Sequence, residues 1–134
     1  MSTNETMKYF DLHTAGLGYL NRVREVTPKD GTPFLSVTIA ALRGNVDNVQ
    51  YTHFECRVSG KQAQELVRRL TPAVEDSAKV LIGFTHSELF AEAFTFMNGE
   101  KAGETGVSLK TRLLRIAWAK VDGQPFYSAQ DNAA

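Results

Sequence analysis

Between Tyr51 and Arg57 every second residue could grip a flat or charged ligand: Tyr51, His53, Glu55 and Arg57. Residues two apart share one face of an extended strand, so these side chains project together, opposite Phe54, Cys56 and Val58. An aromatic ring offers a surface on which a planar base stacks, and a guanidinium neutralises a phosphate; paired on one face, they suit a single nucleic-acid strand. Phe34 has the same outward phase, because Leu35, Val37, Ile39 and Ala41 already supply its strand with an aliphatic face. Arg22 and Arg24 precede it in a strand-like run, and Lys110 and Arg112 lie in another near the end of the chain. The candidate nucleic-acid-binding residues are therefore Arg22, Arg24, Phe34, Tyr51, His53, Arg57, Lys110 and Arg112. Phe90, Phe94 and Phe96 share a strand phase and read either as core, slightly favoured, or as a stacking platform, while the phase of Trp118, shared with Leu114 and Ile116, favours burial.

Catalytic patterns are missing from the sequence. His13, His53 and His86 stand far apart with no paired ligand motif, and Cys56, the single cysteine, has no partner for a disulfide or a thiolate metal site. Gly16-x-Gly18 and the glycines from Gly99 to Gly106 lack the Lys-Ser/Thr that completes a phosphate loop, and read as turns. The expectation is a protein without catalysis, cofactor or metal.

The elements that must position these residues follow from periodicity. Gly18 to Val26 reads as a first strand, closed by the turn Thr27-Pro28-Lys29-Asp30-Gly31. Phe34 to Leu42 alternates as a second strand, and Gln50 to Val58 as a third. Ser59 and Gln62 fit a capping box, with Ala63, Leu66, Val67 and Leu70 at helical spacing until Thr71-Pro72, which predicts one amphipathic helix from Ser59 to Leu70. Lys79 to Thr85 and Leu89 to Met97 follow as a strand pair or one long strand, broken or bulged at His86-Ser87-Glu88. Val107 to Val121 is the last long strand, and Asp122-Gly123 turns into a short segment, Gln124 to Tyr127. Three strands, a helix and two strands is the order of a five-stranded oligonucleotide-binding (OB) barrel, mainly β, with one helix between strands three and four.

Composition sets the bounds. With 134 residues, 43% of them hydrophobic, the chain supports one core, expected over 9–127 with flexible ends at 1–8 and 128–134. Fifteen basic residues balance fifteen acidic ones, so any positive face must come from placement. Glu5, Asp11, Asp30, Asp47, Glu75, Asp76, Asp122 and Asp131 fall in loops and ends, whereas the arginines named above fall in strands. No apolar run reaches the roughly 20 residues of a membrane span, and Met1 to Lys8 lacks the apolar centre of a signal peptide. A cytoplasmic protein without a membrane partner is expected.

Tyr51 to Gly60, leading into Lys61 to Leu70 and then Lys79-Val80-Leu81-Ile82-Gly83, resembles the third strand, helix and fourth strand of bacterial single-stranded DNA-binding proteins; His53 stands where that family often carries tryptophan. Tyr9 to Val26 and Gly103 to Lys110 are similar to replication proteins of integrating conjugative elements, a resemblance running from Tyr9 to about Tyr127. It implies a role in replication or maintenance of a mobile element, with replication proteins as possible partners. The aromatic and basic face makes single-stranded DNA the expected ligand, and the short track of one small barrel makes a homo-oligomer the expected assembly. Gln130 to Ala134 has no acidic, aromatic tip through which such partners are recruited. The alternative is an OB-type module for protein interaction or oligomerisation, its outward aromatics sealing an interface rather than stacking bases.

Overall fold

The computed structural model describes residues 10–129. Strands His13–Val26 (β1), Phe34–Asn45 (β2) and Asn48–Val58 (β3) precede a helix, Lys61–Glu75 (α1). Val80–Thr95 (β4), Thr105–Val121 (β5) and Gln124–Ser128 (β6) follow. All neighbouring pairs in the order β3-β2-β1-β4-β5-β6 are antiparallel, and a parallel pairing of β3 with β5, Phe54 opposite Leu109 to Val58 opposite Leu113, closes the first five strands into a barrel. This is the expected OB barrel, with β6 as an extra strand on β5. The expected flexible ends lie outside the described residues except for Ser128, which pairs with Trp118 in β6, and Ala129.

The inner faces of all five strands build one core with the apolar stripe of α1. Leu20, Val37, Ile39, Cys56, Ile82, Leu113 and Ile116 are fully buried, and Ala63, Leu66, Val67 and Leu70 of the helix close over them. Burial pushes the Cys56 thiol up to about 12, with the charge of Glu55 adding to the effect, so Cys56 serves as an inert small hydrophobe.

The capping box does not form. Gly60 is the N-cap residue, and no side chain among the described residues caps it. Ser59 and Gly60 instead donate their amides to the Leu113 carbonyl, and the Gln62 amide clamps the backbone of Ile116 in both directions at 2.8 and 3.1 Å. Tertiary bonds to β5 thus replace the local cap and fix the helix to the barrel. A β-carbon at Gly60 would collide with the Leu114 carbonyl oxygen, so this approach requires glycine. The helix also runs past Leu70. Pro72 is exposed and forfeits one backbone bond, while Ala73 and Val74 pack against the core, which carries the helix to Glu75.

Four register shifts decide which residues face outward. In β1 an extra residue between Asn21 and Arg24, with Arg22 at φ 48°, turns Arg24 to the outer face when strict alternation would place it inside. In β4, between Ser87 and Phe90, an extra residue with Glu88 at φ 57° turns Leu89 inward and Phe90 outward. Phe90 and Phe94 are consequently exposed, against the slightly favoured core reading and in line with its alternative of an outer platform. In β5 extra residues at Leu114 and Ala117 move the buried phase from Leu113 to Ile116 and Ala119, leaving Trp118 half-buried across Gly83 rather than in the core.

Candidate nucleic-acid interface

The outer faces of β1, β2, β3 and β5, with the bulged part of β4, enclose a cleft of about 470 Å3. Its register explains its contents. Arg24 lies opposite Ser36 and Ser36 opposite Arg57, while Arg57 lies beside Arg112 across the parallel seam. One row along, Thr38 pairs with Glu55, Glu55 with Lys110 and Lys110 with Phe90. Phe34, opposite Val26, closes one end of the cleft. Of the residues singled out by sequence, Arg24, Phe34, Arg57, Lys110 and Arg112 line this one cleft.

Three lie elsewhere. Tyr51 and His53 are exposed on the same outer face of β3, further along the β2–β3 hairpin, opposite Leu42 and Ala40. Arg22, at the β1 bulge, lines a different hollow with Tyr19, Asn21 and Lys79; the extra residue that brings Arg24 into the cleft takes Arg22 out of phase with it. Phe90 joins the cleft, the outer-face alternative to a core position.

Carboxylates occupy the same cleft, so the cations there do not form a purely positive face. Arg24 Nη2 donates to Glu55 Oε1 at 2.6 Å, and Thr38 Oγ1 donates to the other carboxylate oxygen at 2.9 Å. Burial alone would raise the Glu55 pKa; hydrogen bonds from Arg24 and Thr38 and the charges of Arg24 and Arg22 outweigh it and hold the carboxyl below its ordinary value. Arg112 Nε stands 3.4 Å from Glu88 Oε2, and Lys110 Nζ stands 4.0 Å from Glu92 Oε1. Arg57 differs: its guanidinium lies 4.2 Å over the Phe34 ring. Phe34 is half-buried, and a cation over a ring still open to solvent contributes on the order of 1 kcal/mol, enough to align both groups but weak enough to yield to a ligand. Glu88 and Glu92 were missed as site residues because their strand phase is set by the β4 bulge.

Beyond the cleft, the β4–β5 hairpin extends the outer face. Phe94 meets Phe96 edge to face at 4.9 Å over Gly106, and Lys101 Nζ stands 5.7 Å from the Phe96 ring. Among the described residues no group of three or more His, Cys, Asp or Glu side chains is placed to hold a metal ion. No helix among them is long and apolar enough to cross a membrane.

Barrel topology and cleft together define a small OB-fold protein with a mixed aromatic, basic and acidic outer face. Residues 3–134 match the family model described as "Protein of unknown function (DUF3577)", and the chain belongs to that family. No curated protein matches it, and no solved structure does.

Proposed function

We propose that this protein binds single-stranded DNA without catalysis, stacking bases on aromatic rings and neutralising phosphates. The observation that carries the reading is the convergence of Phe34, Arg24, Arg57, Lys110 and Arg112, drawn from four strands, in one cleft on the outer face of an OB barrel. Phe90 adds a second ring to it, and Tyr51 and His53 extend the same face along β3. The similarity of Tyr9–Val26 and Gly103–Lys110 to replication proteins of integrating conjugative elements suggests replication or maintenance of a mobile element as the setting, in the cytoplasm. A homo-oligomer would lengthen the short track that a single barrel offers, and replication proteins are the partners such a role calls for.

The exposed apolar residues Phe94, Met97 and Val107 on the hairpin favour a second reading, a protein-interaction or oligomerisation module. Chromatography on immobilised oligo-dT, paired with light scattering, separates the two. Retention that added salt abolishes supports DNA binding; a stable oligomer that ignores DNA at low salt supports the module and removes the first reading.

A further inference from the structure

A second cleft, about 490 Å3, adjoins the first and is lined by Phe10, Asp11, His13, Ser59, Ser87, Glu88, Arg112 and Leu114. Glu88 and Arg112 are the residues common to both clefts. We infer that the second cleft is a further nucleotide subsite, closed from the first by the Glu88–Arg112 ion pair, and that Arg112 holds the phosphate joining a nucleotide in one cleft to a nucleotide in the other. This rests on the DNA-binding reading above.

Three features point the same way. The lining suits a nucleoside more than a phosphate: an exposed ring at Phe10, an apolar wall at Leu114 and two hydroxyls at Ser59 and Ser87, with Arg112 the cation at the junction. Arg112 is tethered on its far side, its Nη1 donating to Ser59 Oγ at 3.1 Å, so the guanidinium is held in place while its other edge faces Glu88. Glu88 keeps a left-handed backbone conformation that a side-chain-bearing residue adopts at a cost, and its amide bonds the Leu12 carbonyl, which ties this bulge to the segment carrying Phe10 and His13. The carboxylate of Glu88 thus stands where a bridging phosphate would bind. Its side chain is largely solvent-accessible and that of Arg112 partly so, and an ion pair of that kind is weak, whereas a phosphate can engage a guanidinium with two parallel bonds. An incoming strand can therefore displace Glu88.

The test compares Glu88→Gln with Glu92→Gln on a short probe, a single thymidine nucleotide that can fill only one cleft, and on a long one, oligo-dT of about 4 nucleotides, which spans both and stays within the range one such barrel covers. Each variant removes one negative charge, but Glu92 borders the first cleft alone. Glu92→Gln should tighten both lengths alike. Glu88→Gln should tighten the long probe by roughly two- to fivefold more than the short one. Adding Phe10→Ala to Glu88→Gln should erase that extra gain, since Phe10 is exposed and borders only the second cleft. Equal gains at both lengths, or a length effect that Phe10→Ala leaves intact, overturn the second subsite while leaving the first. Loss of all oligo-dT binding in the unaltered protein at low salt overturns both readings together.

Discussion

Carboxylate pairing inside the cleft gives DNA binding a measurable signature in its salt dependence. Each phosphate neutralised on a single strand releases counterions, lowering log K by about 0.7 per unit of log salt. If Arg24, Arg57, Lys110 and Arg112 were all free, engaging four phosphates would give a slope of roughly −2.8. They are not free. Glu55, Glu88 and Glu92 stand against three of them, and a carboxylate displaced by phosphate collects a counterion of its own, cancelling the one released. The local excess is one positive charge, so the unaltered protein should show a slope of about −0.7. Glu92→Gln raises the excess by one and should steepen the slope to about −1.4. Fluorescence titration of labelled oligo-dT over several salt concentrations reads both values. A slope near −2.8 in the unaltered protein, or no change in Glu92→Gln, would refute the claim that these ion pairs persist until DNA replaces them.

Phe34→Ala should weaken oligo-dT binding by about 1–2 kcal/mol, towards the lower part of the range for a stacked base because Arg57 already covers one ring face; Tyr51→Ala, outside the cleft, should cost less, and the reverse ranking would relocate the site to the β2–β3 hairpin. His86 is fully buried, stacked on Phe84 at 5.1 Å and tilted against Phe54 at 4.6 Å, with no hydrogen-bond partner at either ring nitrogen among the described residues; burial, opposed more weakly by its own backbone, lowers its pKa from 6.5. Below pH 6.5 the unfolded chain therefore takes up a proton that the folded chain refuses, so stability should fall by up to about 1.4 kcal/mol per pH unit until the folded pKa is passed, in urea titrations that His86→Phe renders flatter. Leu113→Ala, at a fully buried position where β5 meets β3 and β4, should cost about 2–5 kcal/mol in the same titrations, and a loss below 1 kcal/mol would mean the barrel seam is not closed as described.

The barrel was legible because its evidence is local and repeated. Alternation in Phe34–Leu42 and Gln50–Val58, and helical spacing from Ala63 to Leu70, each report a face that must be buried, and their order identifies the topology. β3 carries no register shift, so its outward set of Tyr51, His53, Glu55 and Arg57 was readable without error. The helix boundaries were less readable, since Gln62 satisfies the backbone of a strand more than fifty positions away rather than its own helix end. Salt-bridge partners were not readable at all. Glu88 and Arg112 meet because β4 and β5 are neighbours at one particular register, which no single strand encodes.

The same bulges that defeat strict alternation also build the cleft. Without the extra residue at Arg22, Arg24 would point into a core of Leu20 and Val37, where an unpaired guanidinium would cost several kcal/mol; with it, Arg24 reaches Glu55 across two strands. Without the extra residue at Glu88, Phe90 would face inward and Leu89 outward, and the cleft would lose its second ring. Two non-glycine residues, Arg22 and Glu88, hold left-handed conformations at these points, each at a cost of order 1 kcal/mol. Replacing either by glycine would relieve that strain, so stability should rise slightly or stay level as long as the bulge alone mattered. Stability and binding then come apart. Arg22→Gly keeps every cleft residue and should leave oligo-dT affinity almost unchanged, whereas Glu88→Gly removes the carboxylate paired with Arg112 and should tighten it. If Arg22→Gly weakened binding as strongly as Phe34→Ala, the bulge would be presenting Arg22 itself to the strand, and the site would have to extend around β1.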